Sequence, residues 1–148
     1  MSAVSTTIDI AAPPQTVWDV MLDAQRTKEW VTIVREVGDV DSGPLRPGFK
    51  MAQTFALRGI PFHVHWVLQE VRVPSFACWE GKGPARSKAF IEYRLEELPD
   101  GGTRVTYKNE FKTPLGPLGA VASKALIGGI PEHEAKASLQ KLKQLLEQ

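Results

Sequence analysis

The chain has 148 residues, with 18 Lys+Arg against 17 Asp+Glu, three histidines and one cysteine. That length suits one domain with one core, and a 43% hydrophobic, 24% charged composition excludes disorder over most of the chain. A net charge of +1 supplies no field to gather nucleic acid or an anionic membrane, and one cysteine excludes an internal disulfide or a thiolate zinc cluster.

The opening residues lack a charged stretch followed by an apolar one, so no signal peptide is expected. No apolar run reaches the roughly 18 residues that a membrane-spanning helix needs. The expectation is a single cytoplasmic domain over residues 1–148, with no transmembrane segment and no nucleic-acid partner. Val4 to Ile10 alternates and is β-branched, which predicts a strand. Pro13 and Pro14 end it, and Pro14 fits the first turn of a helix whose face carries Val17, Trp18, Met21 and Leu22. A second short helix is predicted over Asp23 to Val34, followed by turns at Gly38, Gly43-Pro44 and Pro47-Gly48.

From Phe49 to Thr113 the period becomes two. Met51, Gln53, Phe55 and Leu57 share one strand face, and Phe62, Val64, Trp66 and Leu68 share one face of the next. Further strands follow at Phe76 to Gly81, Ala89 to Glu96 and Val105 to Phe111, with Pro99-Asp100-Gly101-Gly102 as a hairpin turn. Turn-length links between consecutive strands predict an antiparallel meander. After Pro114 the period is helical again. Leu115, Leu118, Val121, Ala122, Ala125 and Leu126 share a face, Gly128-Gly129 bends the helix, and Leu139, Leu142, Leu145 and Leu146 form the last stripe. The order is α+β: strand, two short helices, about six strands, long C-terminal helix. A long helix laid on a curved sheet fills the concavity incompletely, and such concave apolar places are where small molecules bind.

The segment Ile8-Asp9-Ile10-Ala11-Ala12-Pro13-Pro14-Gln15-Thr16-Val17-Trp18 resembles the opening of the SRPBCC (START-like, helix-grip) superfamily. Trp30-Val31, Glu70 to Pro74, Pro99 to Val105 and Leu139 to Lys143 resemble its later motifs, in order along the whole chain. Within it, the chain resembles the polyketide cyclase/dehydrase and lipid-transfer branch. The resemblance implies a curved antiparallel sheet wrapped around the C-terminal helix. It also implies a hydrophobic small-molecule ligand such as a lipid, steroid or polyketide, bound between sheet and helix. Some members are cyclases or dehydratases, so an enzyme of that type is the alternative.

The apolar strand faces supply the candidate ligand-binding residues: Gln53, Phe55, Trp66, Tyr93, Tyr107, Asn109 and, from the C-terminal helix, Leu126. The polar members carry the information, because a buried hydroxyl or amide left unpaired costs about 1–3 kcal/mol. For catalysis the candidates are Tyr93 and Tyr107 as acids and His63, His65 or His133 as base, His63 and His65 only if their strand turns that face to the pocket. His63 and His65 share a strand face about 7 Å apart, as metal ligands can. The facing pattern turns them outward and no third ligand stands out, so no metal and no cofactor is expected. Cys78 reads as an inert core thiol, and Gly81-Lys82-Gly83 lacks phosphate-loop spacing. An exposed edge strand leaves monomer and homodimer both open.

Overall fold

The computed structural model describes residues 2–57, 59–83, 86–112 and 130–147. Strand β1 (Ser2–Ile10) leads into helix α1 (Pro14–Met21), a 3-10 turn (Ala24–Arg26) and helix α2 (Thr27–Trp30). Six strands follow: β2 (Val34–Gly38), β3 (Lys50–Leu57), β4 (Ile60–Arg72), β5 (Phe76–Lys82), β6 (Lys88–Glu97) and β7 (Thr103–Lys112). Helix α3 (Ile130–Leu146) closes the chain. The strands form one antiparallel sheet in the order β1-β7-β6-β5-β4-β3-β2. It is a meander from β2 to β7, with the N-terminal strand laid beside the last one.

The α+β helix-grip architecture expected from the sequence is the one found, with one local correction. The second helix does not run to Val34. It stops at Trp30, and Val34–Gly38 is a strand paired with β3, Val34 opposite Phe55. Val31, Ile33, Val34 and Val37 are β-branched, and a short apolar run of this kind fits either period until a partner strand decides. The predicted helical residues 115–126, with Leu126, and the Gly128-Gly129 bend lie outside the described residues.

Each element follows from its sequence. Pro14 opens α1, which buries Val17, Trp18, Val20 and Met21. The Asp23 carboxylate accepts the Gln25 N–H at 2.9 Å and caps the 3-10 turn. The β6–β7 hairpin places Gly101 at φ +88°, where a side chain would be strained. A Cβ on Gly102 would stand 2.9 Å from the carbonyl oxygen of Ile10, so glycine lets the hairpin meet the end of β1.

The core lies between the inner sheet face and the helices. Ile10, Leu68, Val105, Leu139 and Leu142 are fully buried there. On α3, Ala135, Ser138, Leu139 and Leu142 recur at helical spacing as a buried stripe. Both halves of the helix are tied down. At its C-terminal end Lys143 Nζ donates to the Asp9 carbonyl at 2.8 Å, and Glu147 Oε2 accepts the Ala11 N–H at 2.8 Å. Further back, Ser138 Oγ accepts the Thr32 N–H at 3.1 Å, and the Thr32 hydroxyl donates to Glu134.

Candidate functional site

Period-two burial puts the candidate residues on the inner face. In β4, Val64, Trp66 and Leu68 are buried while His63 and His65 are exposed. The same alternation buries Gln53 in β3 and Tyr93 in β6, and half-buries Phe55, Tyr107 and Asn109. The predicted polar residues do not converge on one point. They form two groups, one on β3 and β4 and one on β6 and β7, separated by β5 in the sheet.

The first group is internally satisfied. Trp66 Nε1 donates to Gln53 Oε1 at 3.0 Å, and Gln53 Nε2 donates weakly to Met51 Sδ at 3.8 Å. The Phe55 ring lies 6.3 Å from that of Trp66. Room for the indole comes from Gly81, the next-to-last residue of β5, opposite Trp66 in the sheet. A Cβ there would fall 2.6 Å from Trp66 Cζ3 and 2.9 Å from Val64 Cγ1. Gly81 thus serves close packing of a ring on the backbone.

The second group is aromatic with polar ends. Tyr93 and Tyr107 are cross-strand partners with ring centroids 5.5 Å apart. Trp30, 1% exposed at the end of α2, packs on Tyr93 at 6.1 Å. Asn109 Nδ2 donates to the Tyr107 hydroxyl oxygen at 3.2 Å. Burial raises the Tyr107 phenol to about 12, although the hydrogen bond from Asn109 pulls the other way. Burial, with the neighbouring Tyr107, pushes Tyr93 well above the ordinary tyrosine value. Burial thus disfavours the phenolate of both, and each phenol is a hydrogen-bonding group that holds its proton.

Two buried polar atoms have no hydrogen-bond partner among the described residues: Trp30 Nε1 and Asn109 Oδ1. They border opposite members of the Tyr93–Tyr107 pair. Sequence pattern places Trp30 in a motif and on a helix face, not in the site. The available signal is a tryptophan ending a four-residue helix, where its indole can reach across to the sheet.

The remaining candidates lie apart. His133 is exposed in the first turn of α3. Leu126 lies outside the described residues. His63 and His65 border an open depression of about 320 Å³ on the outer sheet face with Glu36, Asp39, Ala52 and Thr54. Nδ1 of His63 is 3.1 Å from the Thr54 hydroxyl. Among the described residues, no three His, Cys, Asp or Glu side chains are placed to hold a metal ion. Burial, with Glu92 and Glu70 nearby, pushes the Cys78 thiol up, away from a reactive thiolate. No helix among the described residues is long and apolar enough to cross a membrane.

The fold recurs in solved structures. The aromatase/cyclase from Streptomyces sp. R1128 superposes with a TM-score of 0.82 at 16% identity, over 99% of this chain and 93% of that one. A Thermus thermophilus protein does so with a TM-score of 0.80 at 14% identity, over 99% and 97%. In sequence, a toxin of Mycobacterium tuberculosis (strain ATCC 25618 / H37Rv) is 25% identical over 134 residues, which covers 89% of this chain and 92% of the toxin. Residues 1–147 match the family described as polyketide cyclase / dehydrase and lipid transport. With a match over nearly its full length, the chain belongs to the polyketide cyclase/dehydrase and lipid transport family.

Proposed function

We propose that this protein binds a hydrophobic small molecule between the inner sheet face and the C-terminal helix, against the Trp30, Tyr93, Tyr107 and Asn109 group. The supporting observation is the match of residues 1–147 to the polyketide cyclase / dehydrase and lipid transport family, on a sheet whose inner face carries the half-buried Tyr107 and Asn109 beside Tyr93. Gln53, Phe55 and Trp66 line the same inner face and extend the apolar contact. Leu126 is assigned to the ligand from the sequence pattern alone. Cytoplasmic residence, as a monomer or homodimer, belongs to this reading.

A cyclase or dehydratase using the same place is the second reading. It is favoured by the cross-strand pairing of two phenols, Tyr93 and Tyr107, on the inner face, where a phenol can donate to a ligand carbonyl. Such chemistry also needs a base within hydrogen-bond reach. His63, His65 and His133 are all exposed, and the half-buried Glu134 is engaged by the Thr32 hydroxyl. Binding therefore ranks above catalysis.

The test is native mass spectrometry of the purified protein, followed by extraction of any retained compound and thermal scans with lipids, steroids and aromatic polyketides. A retained apolar compound, or a melting temperature raised by one class, is the expected result. No retained mass and no shift with any class would overturn the binding reading.

A further inference from the structure

The sheet ends in β1 on one side and in β2 on the other, and the two edges are built differently. An edge strand offers a row of backbone N–H and C=O groups to any strand that fits, and proteins blunt such rows with short strands, charges, prolines or bulges. β2 carries such devices. It is five residues long, includes Arg35 and Glu36, and its register shifts between Val34 and Glu36. β1 is nine residues long and pairs with β7 in unbroken register from Ser2 to Ile10. From Ser2 to Ile8 it contains no charged residue and no proline.

The free side of β1 is covered at its far end. The Asp9 carbonyl accepts from Lys143 Nζ at 2.8 Å, and the Ala11 N–H donates to Glu147 Oε2 at 2.8 Å. These two side chains stand where a further strand would run. Backbone direction alternates along a strand, so residues that share the parity of Asp9 turn their N–H and C=O the same way. Ala3, Ser5 and Thr7 therefore point these groups away from β7, and among the described residues they have no backbone partner on that side.

A second copy of β1, running antiparallel, fits this gap. Centred on Ser5, it sets Ser5 opposite its own counterpart and Thr7 opposite the counterpart of Ala3, and each such pair exchanges N–H···O bonds. The half-buried Val4 then faces the counterpart of Thr6 on the inner face, a β-branched pair. No like charges meet, because the first charged side chain of β1 is Asp9, which is paired with Arg104 at 2.9 Å and lies past the gap. Pairing of β1 with β2 of another copy would be head-to-tail and would grow without closing, and the bulge and charges of β2 oppose it.

We propose that β1 is a homodimer interface. Two copies pair antiparallel through Ala3, Ser5 and Thr7 about a twofold axis at Ser5, which joins their sheets into one. The interface is independent of the ligand reading.

Sedimentation of the full chain from micromolar to millimolar concentration should show a monomer–dimer equilibrium with no higher species. Ser5→Pro removes an outward N–H and leaves the β1–β7 bonds in place. It should weaken the dimer by roughly tenfold or more. Cross-linking keeps the test open if that variant fails to fold. In a Cys78→Ala background, Ser5→Cys should form an intermolecular disulfide, because the Cα atoms of such a pair stand about 5.5 Å apart, within disulfide reach. Thr7→Cys should not, because the two copies of that residue lie about 13 Å apart along the strands in this register. A monomer at every concentration would overturn the proposal. So would a dimer that a folded Ser5→Pro variant leaves unchanged, cross-linking at Thr7 in place of Ser5, or open-ended assembly.

Discussion

Gly81→Ala is a one-carbon perturbation whose outcome follows from three distances. The added Cβ would lie 2.6 and 2.7 Å from two carbons of the Trp66 ring and 2.9 Å from Val64 Cγ1. Ordinary contact is about 3.5–4.0 Å, so the ring would have to retreat by about 1 Å. It has little freedom to do so. Trp66 is 2% exposed, its N–H is held by Gln53 at 3.0 Å, and Phe55 packs beside it. Overpacking of this kind costs about 1–3 kcal/mol. The lower chain entropy of unfolded alanine offsets roughly 0.4–1 kcal/mol of that. A net loss of about 1–2 kcal/mol corresponds to a fall in Tm of roughly 2–8 °C for a domain of this size. Gly38→Ala is the control, since a Cβ there meets nothing within 4 Å. Urea denaturation followed by tryptophan fluorescence should separate the two variants. Repeating Gly81→Ala in a Trp66→Leu background closes a double-mutant cycle, in which the penalty should shrink because the ring is gone. An unchanged midpoint in the single variant, or the same penalty without the indole, would refute the packing argument.

Other expectations are equally direct. Thr103 is fully buried and its hydroxyl donates to the Ala12 carbonyl at 2.7 Å. Thr103→Val keeps the shape but strands that carbonyl, so urea unfolding should show a loss of about 1–3 kcal/mol. Leu142 on α3 is fully buried, and Leu142→Ala should cost about 2–5 kcal/mol, read as a lower urea midpoint with unchanged m. Tyr107 has a folded-state pKa of about 12 against an ordinary 10.0, so the folded state holds its proton more tightly than the unfolded chain. The associated stability is fully present below pH 10 and is lost as pH rises toward 12. Ultraviolet titration should show no phenolate below that window in the folded protein, and Tyr107→Phe should flatten the alkaline fall in urea midpoint.

Much of the fold is legible because two periods are written in the chain. Alternation at Val64, Trp66 and Leu68 against His63 and His65 marks which β4 residues face the core, and the structure buries and exposes them accordingly. Leu139 and Leu142 mark the buried face of α3, and Asp100-Gly101-Gly102 marks the hairpin. These are local properties, set by backbone geometry and the exclusion of apolar side chains from water. Other features depend on partners far away in sequence. Val34–Gly38 is a strand because β3 lies beside it, although its apolar residues also fit a helix. Gly81 belongs beneath the Trp66 indole, a relation that only the β4–β5 register creates. Strand facing alone gathers the polar candidates into one group, and β5 separates them into two. Trp30 packs on Tyr93, far along the chain, while Thr32 just beyond α2 is held by Ser138 and Glu134 of α3. The sequence by itself determined which faces are buried. Tertiary structure alone decided which buried polar atoms find partners, because pairing depends on distances between strands and helices that no local pattern encodes.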